Sequence, residues 1–309
     1  MSPHTVAAYR DAFRLLFVFA WERCGKPPCE LGFEDLDATL VGAFLDHLEA
    51  ERGNTARTRN SRLAAVHSMY RYAALQHPEH AELLARVLAI PAKRTERYDV
   101  AFLEPPEVKA LLAAPDRARW TGRRDHALLL TGVQTGLRVS ELTATCWDDV
   151  HLGRGPHVRC TGKGRKQRAT PLTAETVAVL RAWGQESGTE PCSPLFPTSR
   201  GHRLSTDAVA LLVGKHAAAA EQECPSLKGK SVTPHVLRHT CAMNLLRAGV
   251  EVAVIALWLG HEDVETTARI YLHADMTIKV RALARTTPTG TRPGRYQPPD
   301  RLLAFLEGL

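Results

Sequence analysis

Apolar residues return every three or four positions over much of the chain, and the phase of that pattern breaks often enough to outline separate helices. Val6, Tyr9, Phe13, Leu16 and Ala20 follow Ser2-Pro3, a capping residue and a first-turn proline. Asp37 opens a second predicted helix, with Leu40, Ala43, Phe44 and Leu48 on one face. Asn54 is the expected cap of a third, in which Leu63, Val66, Tyr70 and Ala73 recur, and a short fourth spans 82–90. Residues 1–92 therefore read as a small all-helical bundle. "PAKRTERYDVAF" then runs polar and charged without a period, which places a linker at 93–101.

Beyond the linker the pattern is mixed. "EPPEVKALLAA" starts a helix with proline in its first turn. "RRDHALLLTGVQTGLRVSELTATCWDDVHL" reads as a buried helix, a break at Gly136 and a further helix. "HVRCTGKGRKQRATPL" holds short extended segments around a Gly-x-Gly turn, the pattern of a β-hairpin. Long helical stretches follow from Thr206, and the domain is expected to run over 102–285. Residues 286–309 comprise the Pro/Gly/Thr-rich "TTPTGTRPGRYQPPD" and then "RLLAFLEGL", whose Leu302, Phe305, Leu306 and Leu309 have helical spacing. The expected fold class is mainly α with a small β component.

Composition narrows the partners. No run of about 18 apolar residues occurs, so no transmembrane helix is expected. "MSPHTVAAYR" lacks the basic, apolar and small-residue succession of a secretory signal, and the seven cysteines contain no C-x-x-C pair, so a reduced cytoplasmic setting is expected. The net charge is +7. Residues 1–92 carry 10 basic and 11 acidic side chains, against 30 and 22 in residues 93–309. That uneven surplus suits a polyanion. Arg57, Arg59, Arg62 and Arg71 sit among few acids on the third helix, either as a solvated face or as phosphate contacts. Arg165, Lys166 and Arg168 form a second basic run on the hairpin and are further candidate DNA contacts.

Candidate chemistry gathers between Thr233 and His273. His235 and His239 are four apart and share a helix face, as two zinc ligands would. The glutamate that a zincin needs after the first histidine is Val236 here, and Arg238 would set a cation beside the ion, so no metal is expected. An ordinary helical core accounts for His239 but less well for His235, Arg238 and His261, each set by a turn signal at Thr233-Pro234 or Gly260. A phosphate accounts for all of them. Two guanidiniums can hold its non-bridging oxygens, and "QTGLRVSEL" supplies the second, Arg138, with Glu141 one turn on to brace it. Lys163 in "TGKGRKQR" is a candidate proton donor.

Taken together these residues resemble the tyrosine recombinase (phage integrase) family: T-G-L-R-x-S-E-L, a lysine in a G-K-G hairpin, H-x-x-R, L-G-H, and a tyrosine ten residues later. They read here as Arg138, Lys163, His235, Arg238, His261 and Tyr271, in family order, with "TTARIYLH" similar to the surroundings of the family's nucleophile. The resemblance covers about residues 1–285. It implies an N-terminal helical, SAM-like core-binding domain and a mixed catalytic domain of the DNA breaking-rejoining type, clamping duplex DNA. It also implies a tetramer on DNA and strand exchange through a 3′-phosphotyrosine without metal, nucleotide or other cofactor. Many relatives carry an extra helix before the segment matching "SPHTV", so the first domain is either one helix short or started upstream. The family's habit of exchanging a C-terminal helix makes 301–309 a candidate docking helix, in trans or on its own domain. Alternative readings are a type IB topoisomerase-like enzyme, which religates the same strand, and a DNA-binding relative that has lost catalysis.

Overall fold

The computed structural model describes residues 3–95, 100–162 and 167–261, together with Glu265 and Thr267. The chain divides into two compact units, Met1–Tyr98 and Asp99–Leu309. Among the described residues no helix is long and apolar enough to cross a membrane.

The first unit contains α1 (Pro3–Cys24), α2 (Ala38–Ala50), α3 (Ala56–Gln76) and α4 (Ala81–Leu88). Asp37 caps α2 by accepting a hydrogen bond from the Leu40 amide at 2.8 Å. The cap of α3 is Thr55, one residue later than Asn54, and its hydroxyl accepts from the Thr58 amide at 3.3 Å. Leu16, Phe19, Phe44, Leu48, Leu63, Val66 and Tyr70 close the core.

That core changes the reading of the α3 arginines. Arg59 lies in the same helical row as Leu63, Val66 and Tyr70, so its side chain turns inward and is only 7% exposed. Its guanidinium donates to the Pro91 carbonyl at 3.3 Å, with Glu49 at 3.6 Å. Arg62 is 18% exposed and faces Asp11 at 3.7 Å. Arg57 and Arg71 stay exposed. The four do not form one cationic face.

The second unit runs α5 (Pro105–Ala113), α6 (Trp120–Thr135), α7 (Val139–Ala144), β1 (Val150–His151), β2 (His157–Thr161), β3 (Gln167–Pro171), α8 (Ala174–Ser187), α9 (Thr206–Ala220), α10 (Pro234–Arg247) and α11 (Val252–Leu259). The three strands form one antiparallel sheet in sequence order, with Val158 opposite Thr170 and Cys160 opposite Arg168. Leu128, Leu129, Leu142, Val158, Leu180, Trp183, Val213 and Leu237 meet in the main core. A smaller cluster joins Met243, Leu246, Ile255 and Leu259 of α10 and α11, and Val100 and Phe102 pack against it. The Leu103 amide donates to Thr240 at 2.9 Å, and Arg247 lies 4.9 Å above the Phe102 ring. The expected linker at 93–101 thus ends on a packed residue, because Val100 and Phe102 supply apolar cover to α10 and α11.

Candidate active site

Two helix ends build this site. α6 terminates at Gly136, whose φ of 65° is the left-handed conformation that glycine adopts without strain. α11 terminates at Gly260, with φ 66°. There the Gly260 amide donates to Leu257 at 3.1 Å and the His261 amide to Ala256 at 2.9 Å, a Schellman closure. The last carbonyls of a helix have no partner within it, and they sit at the negative end of its dipole. The fold satisfies them with side chains.

On α11 three consecutive carbonyls each receive a different arginine. Trp258 accepts from Arg168 Nε at 3.1 Å, Leu259 from Arg238 Nη2 at 2.7 Å, and Gly260 from Arg138 Nη2 at 3.0 Å. On α6 three more accept from Cys241 Sγ (Gln134, 3.2 Å), Trp258 Nε1 (Thr135, 3.1 Å) and Arg238 Nη1 (Gly136, 2.7 Å). Arg238 therefore ties the two helix ends together. A Cβ on Gly136 would stand 2.8 Å from Leu259 Cδ2, and one on Gly260 would stand 2.8 Å from Arg168 Nη1. Both glycines are needed for close approach as well as for backbone conformation.

Glu141 is the carboxylate of this group. Its side chain is 4% exposed and receives the Arg138 amide at 2.8 Å, Arg138 Nη1 at 2.9 Å, and Arg168 through both terminal nitrogens at 2.9 and 2.7 Å. Burial by itself would raise its pKa, but the hydrogen bonds and charges of Arg168 and Arg138 hold it below the usual carboxylate range. Two guanidiniums bind this carboxylate, and Arg238 is held nearby on the carbonyls of Gly136 and Leu259.

His239 and His261 add donors or acceptors without adding charge near neutral pH. His261 Nδ1 lies 2.6 Å from the hydroxyl of buried Thr267. Burial, then the charges of Arg238 and Arg138, push its pKa down to about 4. His239 is pushed down to about 4 by burial and by His235 and Arg238. His235 is exposed in the first turn of α10, which Thr233 caps by accepting from Val236 at 3.4 Å. The rings of His235 and His239 are stacked with centroids 6.4 Å apart.

The structure thus gathers Arg138, Glu141, Arg238 and His261 at these two helix ends, with His235 on the helix that carries Arg238. Arg168, expected at the DNA surface, belongs to this inner group instead, with its side chain 12% exposed. Lys163, Arg165, Lys166, Tyr271, the Ser2 cap and the 301–309 helix lie outside the described residues. Strand alternation carried the signal for Arg168: on β3 it shares a face with buried Thr170.

The whole chain is similar to known proteins. The phage integrase family matches residues 101–277, and the N-terminal SAM-like domain of phage integrases matches residues 1–77. A putative integrase/recombinase, y4rC of Sinorhizobium fredii, is 55% identical over 308 residues, covering 100% of this chain and 92% of its own. Tyrosine recombinase XerC of Pelobacter propionicus is 32% identical over 294 residues, covering 95% and 92%. In fold, the chain is similar to the Tn1549 transposon integrase in complex with transposon right end DNA, with a TM-score of 0.71 at 15% identity over 93% of this chain and 94% of that one. The chain belongs to the phage integrase family of tyrosine recombinases.

Proposed function

We propose that this recombinase cuts and rejoins duplex DNA at a specific site through a 3′-phosphotyrosine intermediate. The observation that carries this reading is the cationic surplus at the two glycine-ended helices. Arg138 is held by the Gly260 carbonyl and one oxygen of Glu141, and Arg238 by the carbonyls of Gly136 and Leu259, so both guanidiniums are oriented in advance. Such a preset pair suits the oxygens of a phosphodiester, whose negative charge grows in the transition state.

In this mechanism Tyr271 Oη attacks the scissile phosphorus. The P–O bond to the 5′ oxygen breaks, and that oxygen leaves as a hydroxyl after taking a proton from Lys163. The phenol, with an ordinary pKa of about 10, loses its proton toward His235 as the bond forms. Arg138 and Arg238 hold the non-bridging oxygens. Neutral His261 donates to one of them from Nε2, with Nδ1 accepting from Thr267. The phosphotyrosine retains the energy of the diester, so a 5′-hydroxyl from a partner strand reverses the step without nucleotide or metal. Two exchanges through a four-way junction held by four subunits complete recombination, with 301–309 docking on a neighbouring subunit.

The test is covalent capture on nicked duplex DNA. Tyr271→Phe should abolish the protein–DNA adduct on a denaturing gel while gel-shift binding stays nearly intact. An adduct formed by the Phe variant would move the nucleophile elsewhere. Lys163→Ala should slow capture by about 10²–10⁴ and recover on a substrate whose 5′-bridging oxygen is sulfur. No recovery would reassign the general acid.

A further inference from the structure

The mechanism above uses Arg138 and Arg238 and gives Arg168 no part. Yet every side-chain nitrogen of Arg168 has a protein partner. Both terminal nitrogens bind Glu141, at 2.9 and 2.7 Å, and Nε binds the Trp258 carbonyl at 3.1 Å. Glu141 Oε1 is shared, since Arg138 Nη1 also donates to it at 2.9 Å.

Sharing has a consequence for the anion. A carboxylate next to an arginine competes with any phosphate for that arginine, and a bidentate pair is the strongest form of that competition. Arg168 occupies both oxygens of Glu141, which confines Arg138 to a single nitrogen on one of them. Without Arg168, the buried carboxylate would have Arg138 as its remaining guanidinium and would draw it into a full ion pair, away from the phosphate site.

We infer that Arg168 is a positioning residue of the cleavage reaction: by engaging both oxygens of Glu141 it keeps that carboxylate from capturing Arg138, whose guanidinium then stays available to the scissile phosphate. The inference rests on the reading that this phosphate is the anion of the site. It assigns Arg168 a role set by charge rather than by packing. The guanidinium is held flat against Gly260, where a Cβ would stand 2.8 Å from Nη1 and 3.2 Å from Cζ, and this fixes it beside the residue whose carbonyl orients Arg138.

The test compares full-length variants on nicked duplex DNA carrying at the scissile position either a phosphodiester or an uncharged methylphosphonate. Wild type must form the adduct and Tyr271→Phe must not; failure there removes the underlying reading and leaves Arg168 out of account. Given that baseline, Arg168→Met should slow adduct formation on the diester by about 10–100-fold, the usual effect of losing a residue that orients a functional side chain. Most of that loss should vanish on the methylphosphonate, because an uncharged centre depends far less on the guanidinium that Glu141 has captured. Arg168→Met/Glu141→Gln should match Glu141→Gln alone, and this pair decides the matter even if the single Met variant does not fold. Arg168→Lys should fall between wild type and Met, since an ammonium cannot span two oxygens. Equal losses on both substrates, or a double variant well below Glu141→Gln, would overturn the inference and leave Arg168 a packing residue.

Discussion

The second unit buries two ionic clusters that look alike at first and differ in their balance. In one, Asp125 accepts from Arg124 at 2.9 and 2.7 Å through one oxygen and stands 2.9 Å from His216 through the other, with the three side chains 7%, 10% and 6% exposed in that order. The remaining Arg124 nitrogen donates to the Pro197 carbonyl at 3.0 Å, and the guanidinium lies 5.6 Å over Trp120. One arginine answers one carboxylate, and the cluster is closed. The other pairs Arg138 and Arg168 with Glu141 and seats nitrogens of Arg138, Arg168 and Arg238 on carbonyls at the ends of α6 and α11. The first arrangement fastens helices together. The second holds charge in reserve, because a carbonyl orients an arginine without neutralising it.

Breaking the closed cluster should give the largest effect, and it should be on stability. Asp125→Ala leaves a buried guanidinium without its counter-charge and is expected to cost about 3–5 kcal/mol, measured by chemical denaturation. Cleavage per folded molecule should be unchanged. A selective loss of cleavage would mean that the two clusters are not functionally separate.

Removing the bridge of the open cluster should act on chemistry. Arg238→Ala is expected to lower covalent capture by about 10²–10³, the effect of losing one donor to a developing oxyanion. A 5′-bridging sulfur should give no rescue, since this arginine acts on the non-bridging oxygens. Near-normal capture in a folded Arg238→Ala protein would discard the charge-reserve interpretation.

Gly136→Ala tests the backbone device behind the open cluster. The left-handed conformation costs a non-glycine residue roughly 1–2 kcal/mol, and the new methyl also displaces Leu259 on α11. Thermal stability should fall modestly while capture falls more than a loss of that size explains. A purely thermal effect would show that the α6 end can move without disturbing Arg238.

The smallest effect separates the clusters by pH. His239 and His261 are held at about 4 in the fold, against about 6.5 for an unfolded histidine. Between those values the unfolded chain binds protons that the folded chain refuses, so acid favours unfolding. The open cluster should therefore lose stability as pH falls from about 6.5 toward 4, and His261→Asn should flatten that slope in thermal melts. Asp125 is depressed in the fold, since the His216 and Arg124 bonds outweigh the burial that would raise it. Its contribution is present above the unfolded value and is lost only at lower pH. A His261→Asn melt with the wild-type slope would contradict the assignment.

How far the sequence revealed this follows from the range of the interactions. Gly136 and Gly260 mark helix ends by local chemistry, so Arg138, Glu141 and His261 are legible beside them. Helix α8 is missing from the expected elements, although its cap at Thr173 and its buried Val177, Leu180 and Trp183 carry helical spacing. Arg59 was legible in principle through its row with Leu63 and Val66, yet its charge invites a surface reading. The pairing of Arg168 with Glu141 joins β3 to α7 across 27 positions. Strand alternation can orient Arg168, but a basic run such as "GRKQR" hides which member turns inward. The carbonyl partners of the arginines are the least legible part, because every residue carries a carbonyl and only the folded chain selects among them.

The short α11 ends in three consecutive carbonyls, and each holds one of the three guanidiniums. A helix of eight residues has little stability of its own and stays formed through its neighbours. If it frays or shifts by one turn, each of the three cations loses one anchor in the same event, while Glu141 still holds Arg138 and Arg168 and the Gly136 carbonyl still holds Arg238. Under the proposed mechanism, a disturbance at this one helix end would reach all three guanidiniums together.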